Sequence, residues 1–585
     1  MLWEGQSEFT VSPLYDARGG GLLHEDGKGA IWWCEPEWKV GRERPAPGAV
    51  SEAVRIEVAA NEYEAAQLVV RSRAPLGQCS VRVGDLVSAS GSRIPTDEVE
   101  IRTVEYVFTA LPTDELGAVD EWPDPLPIHA SPVNLAAGRN QPFWISVHVP
   151  PGTPGGDYRG VLTVEGAGWS AEVPLEVHVW DFELPRETHL RSGFGLSRGS
   201  LKRYHNLDTD DEVQQVYRLY LRSFAEHRVA PYSLGRDIEV EWTRDAREGL
   251  YPKVDFIGFD EDARFGLDEL GFNSFRLRLD GLGGGTYQSR RPGRIGEFEE
   301  GSREHQISFG RYAGTVQKHL ERNGWLDEAY VYWFDEPDER DYEFVQKGME
   351  LIGGAAPKLK RLLTEAPVAR LYDSVDIWCL PTFMLDVDVL ESRKTAGNEL
   401  WWYLCTAPRA PHFALFIDHY GTELRLWSWE TWKYGLDGLL VWQTTYWTSE
   451  SAYPGEVVQN PWEDSMSWQS GYGLPEGGRE PWGNGDGRFL YPPNRKPGID
   501  RAKYLEGPVP SIRWELLRDG IEDYEYLWML REEVQRVKAA GAPPASYAEA
   551  ERLLEVPSEV CTSLTEFATT PEPIHAHRGK VAEAI

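Results

Sequence analysis

Basic charge is what this chain has too little of. Its 585 residues hold 60 Lys and Arg against 94 Asp and Glu, a formal net charge of -34. A nucleic acid or an anionic membrane surface needs a basic footprint to bind, so neither is expected as a partner, while a neutral substrate stays open. Cysteine is scarce as well: Cys34, Cys79, Cys379, Cys405 and Cys561 are scattered, with neither close pairing nor metal-ligand spacing. The 13 His show no paired helical or strand spacing, so no metal and no cofactor is expected. There is no run of about 18 apolar residues, the length a membrane-spanning helix requires. Met1-Leu2-Trp3-Glu4-Gly5-Gln6 lacks the basic-then-apolar order of a secretory signal. A cytoplasmic location is expected, although a secreted protein met in trimmed form would look the same. Against 5 Met stand 24 Trp and 26 Tyr; flat rings stack on sugars, but they also fill cores, so composition alone does not decide between the two.

A chain of this length exceeds one ordinary core and implies two or three domains. Up to residue 187 the signals are those of strands. Alternating or apolar segments recur at 30–34, 53–58, 66–70, 81–83, 99–108, 143–149, 158–164 and 171–179, with the turn cluster Pro150 to Asp157 between two of them. A β-sandwich domain over 1–187 is predicted, ending at Trp180-Asp181-Phe182-Glu183-Leu184-Pro185.

From 188 to 508 strands alternate with helices. Eight strand candidates fall at 190–196, 229–234, 272–279, 329–334, 359–363, 375–380, 400–404 and 436–441. Thr209 and Glu212 form a capping-box pattern ahead of a helix with Val213, Val216, Tyr217, Tyr220 and Phe224 on one face. Further helices are read at 307–321, 338–353 and 423–434. Eight such units predict a (β/α)8 TIM-type barrel, irregular where a connection is too short for a helix. A Trp-rich stretch over 443–508 is too long for an idle loop and suits a cover folded over the barrel mouth, or an aromatic-anchored structural loop. A C-terminal helical segment, 509–585, opens with a densely charged helix whose charges read mainly as a solvated face with ion pairs to the barrel.

Tyr330-Val331-Tyr332-Trp333-Phe334 reads as a doubly buried strand of a parallel sheet, and it stops at Asp335-Glu336-Pro337. Active sites of parallel sheets lie at the C-terminal ends of their strands, which points to Asp335 and Glu336 as catalytic carboxyls. The plainer alternative is that Asp335 caps the next helix and Glu336 sits in its first turn.

Three stretches together resemble glycoside hydrolase family 123. Pro150 to Val164 and Val179 to Pro185 are similar to that family's N-terminal β-sandwich, and Asp335-Glu336-Pro337 to its catalytic pair. Tyr403-Leu404-Cys405, Gly435 to Trp442, Gly485-Asp486-Gly487 and Ser511 to Leu527 are similar to the later barrel strands and the C-terminal segment. After the eighth strand the chain departs from the family's usual Arg-Trp-Ala-Tyr-Asn-Ser-Trp type of run and reads Val441-Trp442-Gln443-Thr444-Thr445-Tyr446-Trp447, which places it as a sister group. The resemblance implies an exo-acting, retaining β-N-acetylgalactosaminidase with substrate-assisted catalysis, acting on a terminal β-GalNAc glycoside. In that scheme Glu336 is acid and base, and Asp335 accepts the acetamido N–H. Tyr403 is the candidate donor to the acetamido carbonyl, Trp442, Tyr446 and Trp447 are candidate walls, and Asp486 is a candidate for binding sugar hydroxyls. Each of these has an ordinary packing or turn role as its alternative. Two rival readings stay open. One is an Asn-Glu-Pro type barrel glycosidase with Glu336 as acid/base and a nucleophile at Glu365, Asp418 or Glu450. The other is an inactive carbohydrate-binding protein.

Overall fold

Alternation of apolar and polar residues builds the N-terminal region. In the computed structural model, which describes residues 11–75, 77–166, 168–244, 248–449, 452–453, 457–470, 474–475 and 477–585, the strand Trp169–Glu183 buries every second side chain over most of its length. One sheet runs in the spatial order Gly21–Glu25, Gly29–Cys34, Glu62–Ser72, Asn140–Val149 and Val99–Thr103, all antiparallel. The second runs Val133–Leu135, Gly77–Val83, Gly156–Gly166, Trp169–Glu183 and Val54–Ala60, its last pair parallel. Ile31, Leu68, Val70, Phe143 and Ile145 of the first sheet share one core with Val54, Val81, Leu162, Leu175 and Val177 of the second. Facing sheets sharing a core are a sandwich; most of its strands fall on the segments expected from the sequence, while the edge strands Gly21–Glu25 and Val133–Leu135 were not expected.

Seven parallel strands follow, in the spatial order Arg191–Phe194, Gly438–Val441, Glu399–Tyr403, Ile377–Pro381, Lys360–Leu363, Ala329–Val331 and Phe275–Arg276. The expectation of eight strands is corrected at 229–234. That segment closes the gap between the two edge strands without becoming a strand: Phe194 N–H donates to Ala230 O at 3.0 Å, Tyr232 N–H to Phe194 O at 2.8 Å and Arg276 N–H to Tyr232 O at 2.9 Å. Pro231 supplies no N–H, so the ladder cannot continue through it. The result is a nearly closed seven-stranded parallel barrel. Between Lys360–Leu363 and Ile377–Pro381 there is only a single 3-10 turn, Ala369–Leu371, in place of a helix.

The helix Ile512–Ala539 overturns a second expectation. Arg513, Glu515, Arg518, Asp519, Glu522, Asp523 and Glu525 are all buried, not solvated, because the helix is wedged between the barrel helix Thr422–Tyr434 and the sandwich. Arg425 of that barrel helix is fully buried and bonds Asp523 at 2.7 Å, Glu64 at 3.0 Å and Glu37 at 3.0 Å. Arg578 joins Glu62, Glu64 and Asp523, and Arg513 bonds Asp124 at 3.0 Å. Burial pushes the Glu64 carboxyl up, but Arg425 and Arg578 outweigh it and hold the group well below its usual range. Buried charges survive only when paired, and here the partners come from three parts of the chain.

Candidate active site

The strand entering the site is broken. Ala329–Val331 belongs to the barrel, the chain then leaves the ladder at Tyr332 and Trp333, and Phe334–Asp335 pairs in parallel with Gly284–Thr286 of an inserted hairpin. At Glu336 the backbone turns left-handed, with φ +45°, a conformation that costs a non-glycine residue on the order of 1–3 kcal/mol and collects at functional sites. In a regular strand neighbouring side chains point to opposite faces; this turn lets Asp335 and Glu336 face one cavity.

That cavity, about 510 Å³, opens at the C-terminal ends of the barrel strands. Asp335, Glu336, Tyr332 and Thr364 form one wall, with Thr286 and Tyr287 of the hairpin beside them. Tyr403, Cys405, Thr406, Leu440 and Trp442 come from the last two strand ends, and Gln469, Glu480, Trp482 and Asp486 from the long segment after them. Thr364 is the clasp of the acidic pair: its hydroxyl donates to Asp335 Oδ1 at 2.9 Å and accepts the Glu336 N–H at 3.0 Å. Tyr332 donates a second hydroxyl to Asp335 Oδ1 at 2.6 Å. Tyr403 donates to Glu336 Oε1 at 2.5 Å. Burial, then the charge of Asp335, raise the Glu336 carboxyl above its ordinary value, and Tyr403 pulls against them. Among the described residues neither member of the pair touches a Lys, Arg or His, and no group of three His, Cys, Asp or Glu could hold a metal.

The expected site residues divide. Asp335, Glu336, Tyr403, Trp442 and Asp486 line the cavity. Trp442 Nε1 donates to Asp486 Oδ1 at 3.0 Å, and burial pushes Asp486 up to about 6. Tyr446 does not line the cavity; its ring backs Trp442 at 4.7 Å and Trp482 at 6.4 Å. Trp447 is no wall at all. Thr444 is tied to Gly195 O at 2.7 Å, which sends the following chain behind the barrel rim. There Trp447 is fully buried against Tyr204 at 5.0 Å and donates to Leu490 O at 2.7 Å. Of the alternative nucleophile positions, Asp418 is committed elsewhere, bonding Thr113 Oγ1 and N at 2.7 Å and Asn484 Nδ2 at 3.0 Å. Glu365 follows the clasp residue but does not line the cavity; burial, with Glu336 and Asp338, raises it to about 7. Glu450 lies outside the described residues.

Tyr332, Thr364, Thr286, Tyr287, Gln469 and Glu480 were not anticipated, whereas Trp482 belongs to the Trp-rich stretch expected to cover the barrel mouth. Thr364 had a usable signal, since it ends the strand next to the acidic pair and meets Asp335 in parallel register. The hairpin residues had none, because nothing local says which barrel face an insertion covers.

Paired carboxyls without cationic partners, in a cleft at the C-terminal rim of a parallel barrel, are the equipment of a glycosidase. Residues 286–530 match the glycoside hydrolase 123 catalytic domain and residues 37–166 the glycoside hydrolase 123 N-terminal domain: the chain belongs to glycoside hydrolase family 123. No curated protein matches it by sequence. A family 123 glycoside hydrolase from Clostridium perfringens, solved to detail glycolipid glycan hydrolysis, overlays with a TM-score of 0.62 at 16% identity, covering 91% of this chain and 92% of that one. A Bacteroides ovatus GH5 xyloglucanase overlays far less closely, with a TM-score of 0.27 at 7% identity over 81% of this chain and 99% of its own. A Parabacteroides merdae β-glucuronidase gives 0.22 at 8% over 65% and 45%.

Proposed function

We propose that this enzyme is an exo-acting, retaining β-N-acetylgalactosaminidase that uses the substrate's own acetamido group as nucleophile. The observation that carries the reading is the bent backbone at Glu336, which turns two consecutive carboxyls into one cavity. Consecutive residues are ill suited to flank a glycosidic bond from opposite sides, as a retaining nucleophile and acid do at about 5–5.5 Å separation. They suit a division of labour on one side. The acetamido carbonyl oxygen attacks the anomeric carbon while Glu336, whose carboxyl is raised above its ordinary value by burial and by Asp335, gives its proton to the departing glycosidic oxygen. Asp335, its Oδ1 pinned by Tyr332 and Thr364, accepts the acetamido N–H and offsets the positive charge of the oxazolinium ring as it closes. Water then opens that ring with Glu336 acting as base. In this reading the Tyr403 hydroxyl, bonded to Glu336 in the free enzyme, turns to donate to the acetamido oxygen, and Trp442 supplies a wall. The preference for galacto over gluco configuration rests on the family alone. The Clostridium perfringens enzyme adds a glycolipid glycan as a substrate class worth trying.

Side-by-side hydrolysis of chromogenic β-GalNAc, β-GlcNAc, β-Gal and β-Glc substrates tests this. Turnover confined to the 2-acetamido sugars, with the β-anomer as first product by NMR, is expected. A 2-hydroxy glycoside cleaved as fast as its 2-acetamido counterpart would overturn it.

A further inference from the structure

Among the described residues the cavity is lined by four carboxyl groups, Asp335, Glu336, Glu480 and Asp486, and by no Lys or Arg. Three of the four have an evident place: the first two are the acidic pair, and Asp486 is buried under Trp442. Glu480 is different. It sits on the strand Glu480–Asn484, which pairs antiparallel with Met466–Gln469 so that Gln469 faces Glu480 and Trp468 faces Pro481. Side chains two apart on a strand share a face, and Glu480 and Trp482 both line the cavity as this rule requires. The same alternation turns the neighbouring cation away. Arg479 lies with its guanidinium over the rings of Tyr453 at 4.5 Å and Trp468 at 4.6 Å, on the far side of the hairpin. Glu480 is half-buried and is met by the Gln469 amide, which donates to its Oε1. A neutral amide fixes the carboxylate in place without cancelling its charge.

We propose that Glu480 is a specificity-determining residue that makes the cavity refuse sugars carrying an anionic substituent, sulfate or carboxylate, while its free acceptor capacity takes a hydroxyl of the neutral sugar. An acidic substituent entering this cavity meets the carboxylates of Asp335 and Glu480 with no Lys or Arg among the described lining residues to offset them, in a partly desolvated space where Coulomb repulsion is screened far less than in water. A hydroxyl in the same place donates to the carboxylate instead. The inference rests on the proposed glycosidase reading and deepens it.

The test compares kcat/KM for a 4-methylumbelliferyl N-acetyl-β-galactosaminide with that for its 6-sulfate. The wild-type enzyme is expected to prefer the neutral substrate by at least about a hundredfold, and the preference should shrink as salt is raised. Glu480→Gln should lower the ratio on the order of tenfold and Glu480→Lys further, because the carboxylate is replaced by a neutral group and then by a cation. Glu463→Gln, an exposed carboxylate of the same segment outside the cavity, should leave the ratio unchanged. Wild-type enzyme cleaving both substrates equally, or a ratio that Glu480→Lys does not move in a variant whose melting curve matches wild type, would overturn the assignment of Glu480. Failure to cleave the neutral substrate at all would instead strike the glycosidase reading.

Discussion

Two regions of this molecule bury clusters of carboxyl groups, and they differ in what sits beside them. At the junction of sandwich, barrel and C-terminal helix, Glu37, Glu64 and Asp523 all close on Arg425. In the barrel mouth the side chains of Asp335 and Glu336 are held, among the described residues, by the hydroxyls of Tyr332, Thr364 and Tyr403. A guanidinium locks a carboxylate in its charged form and spends it on structure. A hydroxyl positions a carboxyl and leaves its proton free to move. The same residue type is cement in one place and reagent in the other, and the partner decides which.

The sharpest way to break this contrast is to remove the shared cation. Arg425→Met leaves Glu37 with His575 alone and Glu64 and Asp523 sharing Arg578, and should cost about 3–5 kcal/mol of stability, read by denaturant unfolding. Enzyme that remains folded should keep its turnover. The mirror experiment is Glu336→Gln, which should lower kcat by about 10²–10⁴ while leaving the melting temperature equal or higher, since burial and Asp335 both oppose its ionised form. A melting temperature that falls with kcat would mean that the pair is structural after all.

Smaller effects refine the picture. Tyr403→Phe removes the donor that holds the Glu336 carboxyl down. Its pKa should therefore rise, moving the alkaline limb of the kcat/KM profile to higher pH, because a general acid loses activity as pH climbs through its pKa. Glu365 should give the smallest change. Its folded-state carboxyl is raised to about 7 by burial and by Glu336 and Asp338, so above pH ~4.5 the unfolded chain has lost a proton that the folded one retains. Folding stability should therefore drop as pH rises from about 4.5 to 7, by on the order of 1 kcal/mol after allowing for partial exposure. Glu365→Gln should flatten that slope in chemical denaturation across the interval.

Much of this was legible in the sequence, for reasons of period and position. Alternating or apolar segments between turns marked most of the sandwich strands, and the abrupt end of an apolar run at Asp335-Glu336-Pro337 marked the acidic pair. Three things were hidden. Pro231 sits inside an apolar run that reads as a strand, and only the neighbouring ladders show that its missing N–H turns the run into a bridge. The charges of 513–525 have the spacing of a wet helix face, and their burial depends on Asp124, His189, His227, Arg228, Arg425 and Arg578 arriving from elsewhere in the chain. Trp447 looked like a wall because it follows the last barrel strand, yet the tie from Thr444 to Gly195 turns it inward.

The ionic junction also decides how the protein can be handled. Glu37, Glu64 and Asp124 belong to the sandwich, while Arg425 and Arg513 belong to the barrel and the helix that closes it. A gene cut at the domain boundary would take Glu37 and Glu64 away from Arg425 and Asp124 away from Arg513, leaving Arg425 with Asp523 alone of its three carboxylates. The two halves are separate in architecture but have to be expressed, purified and inherited as one piece.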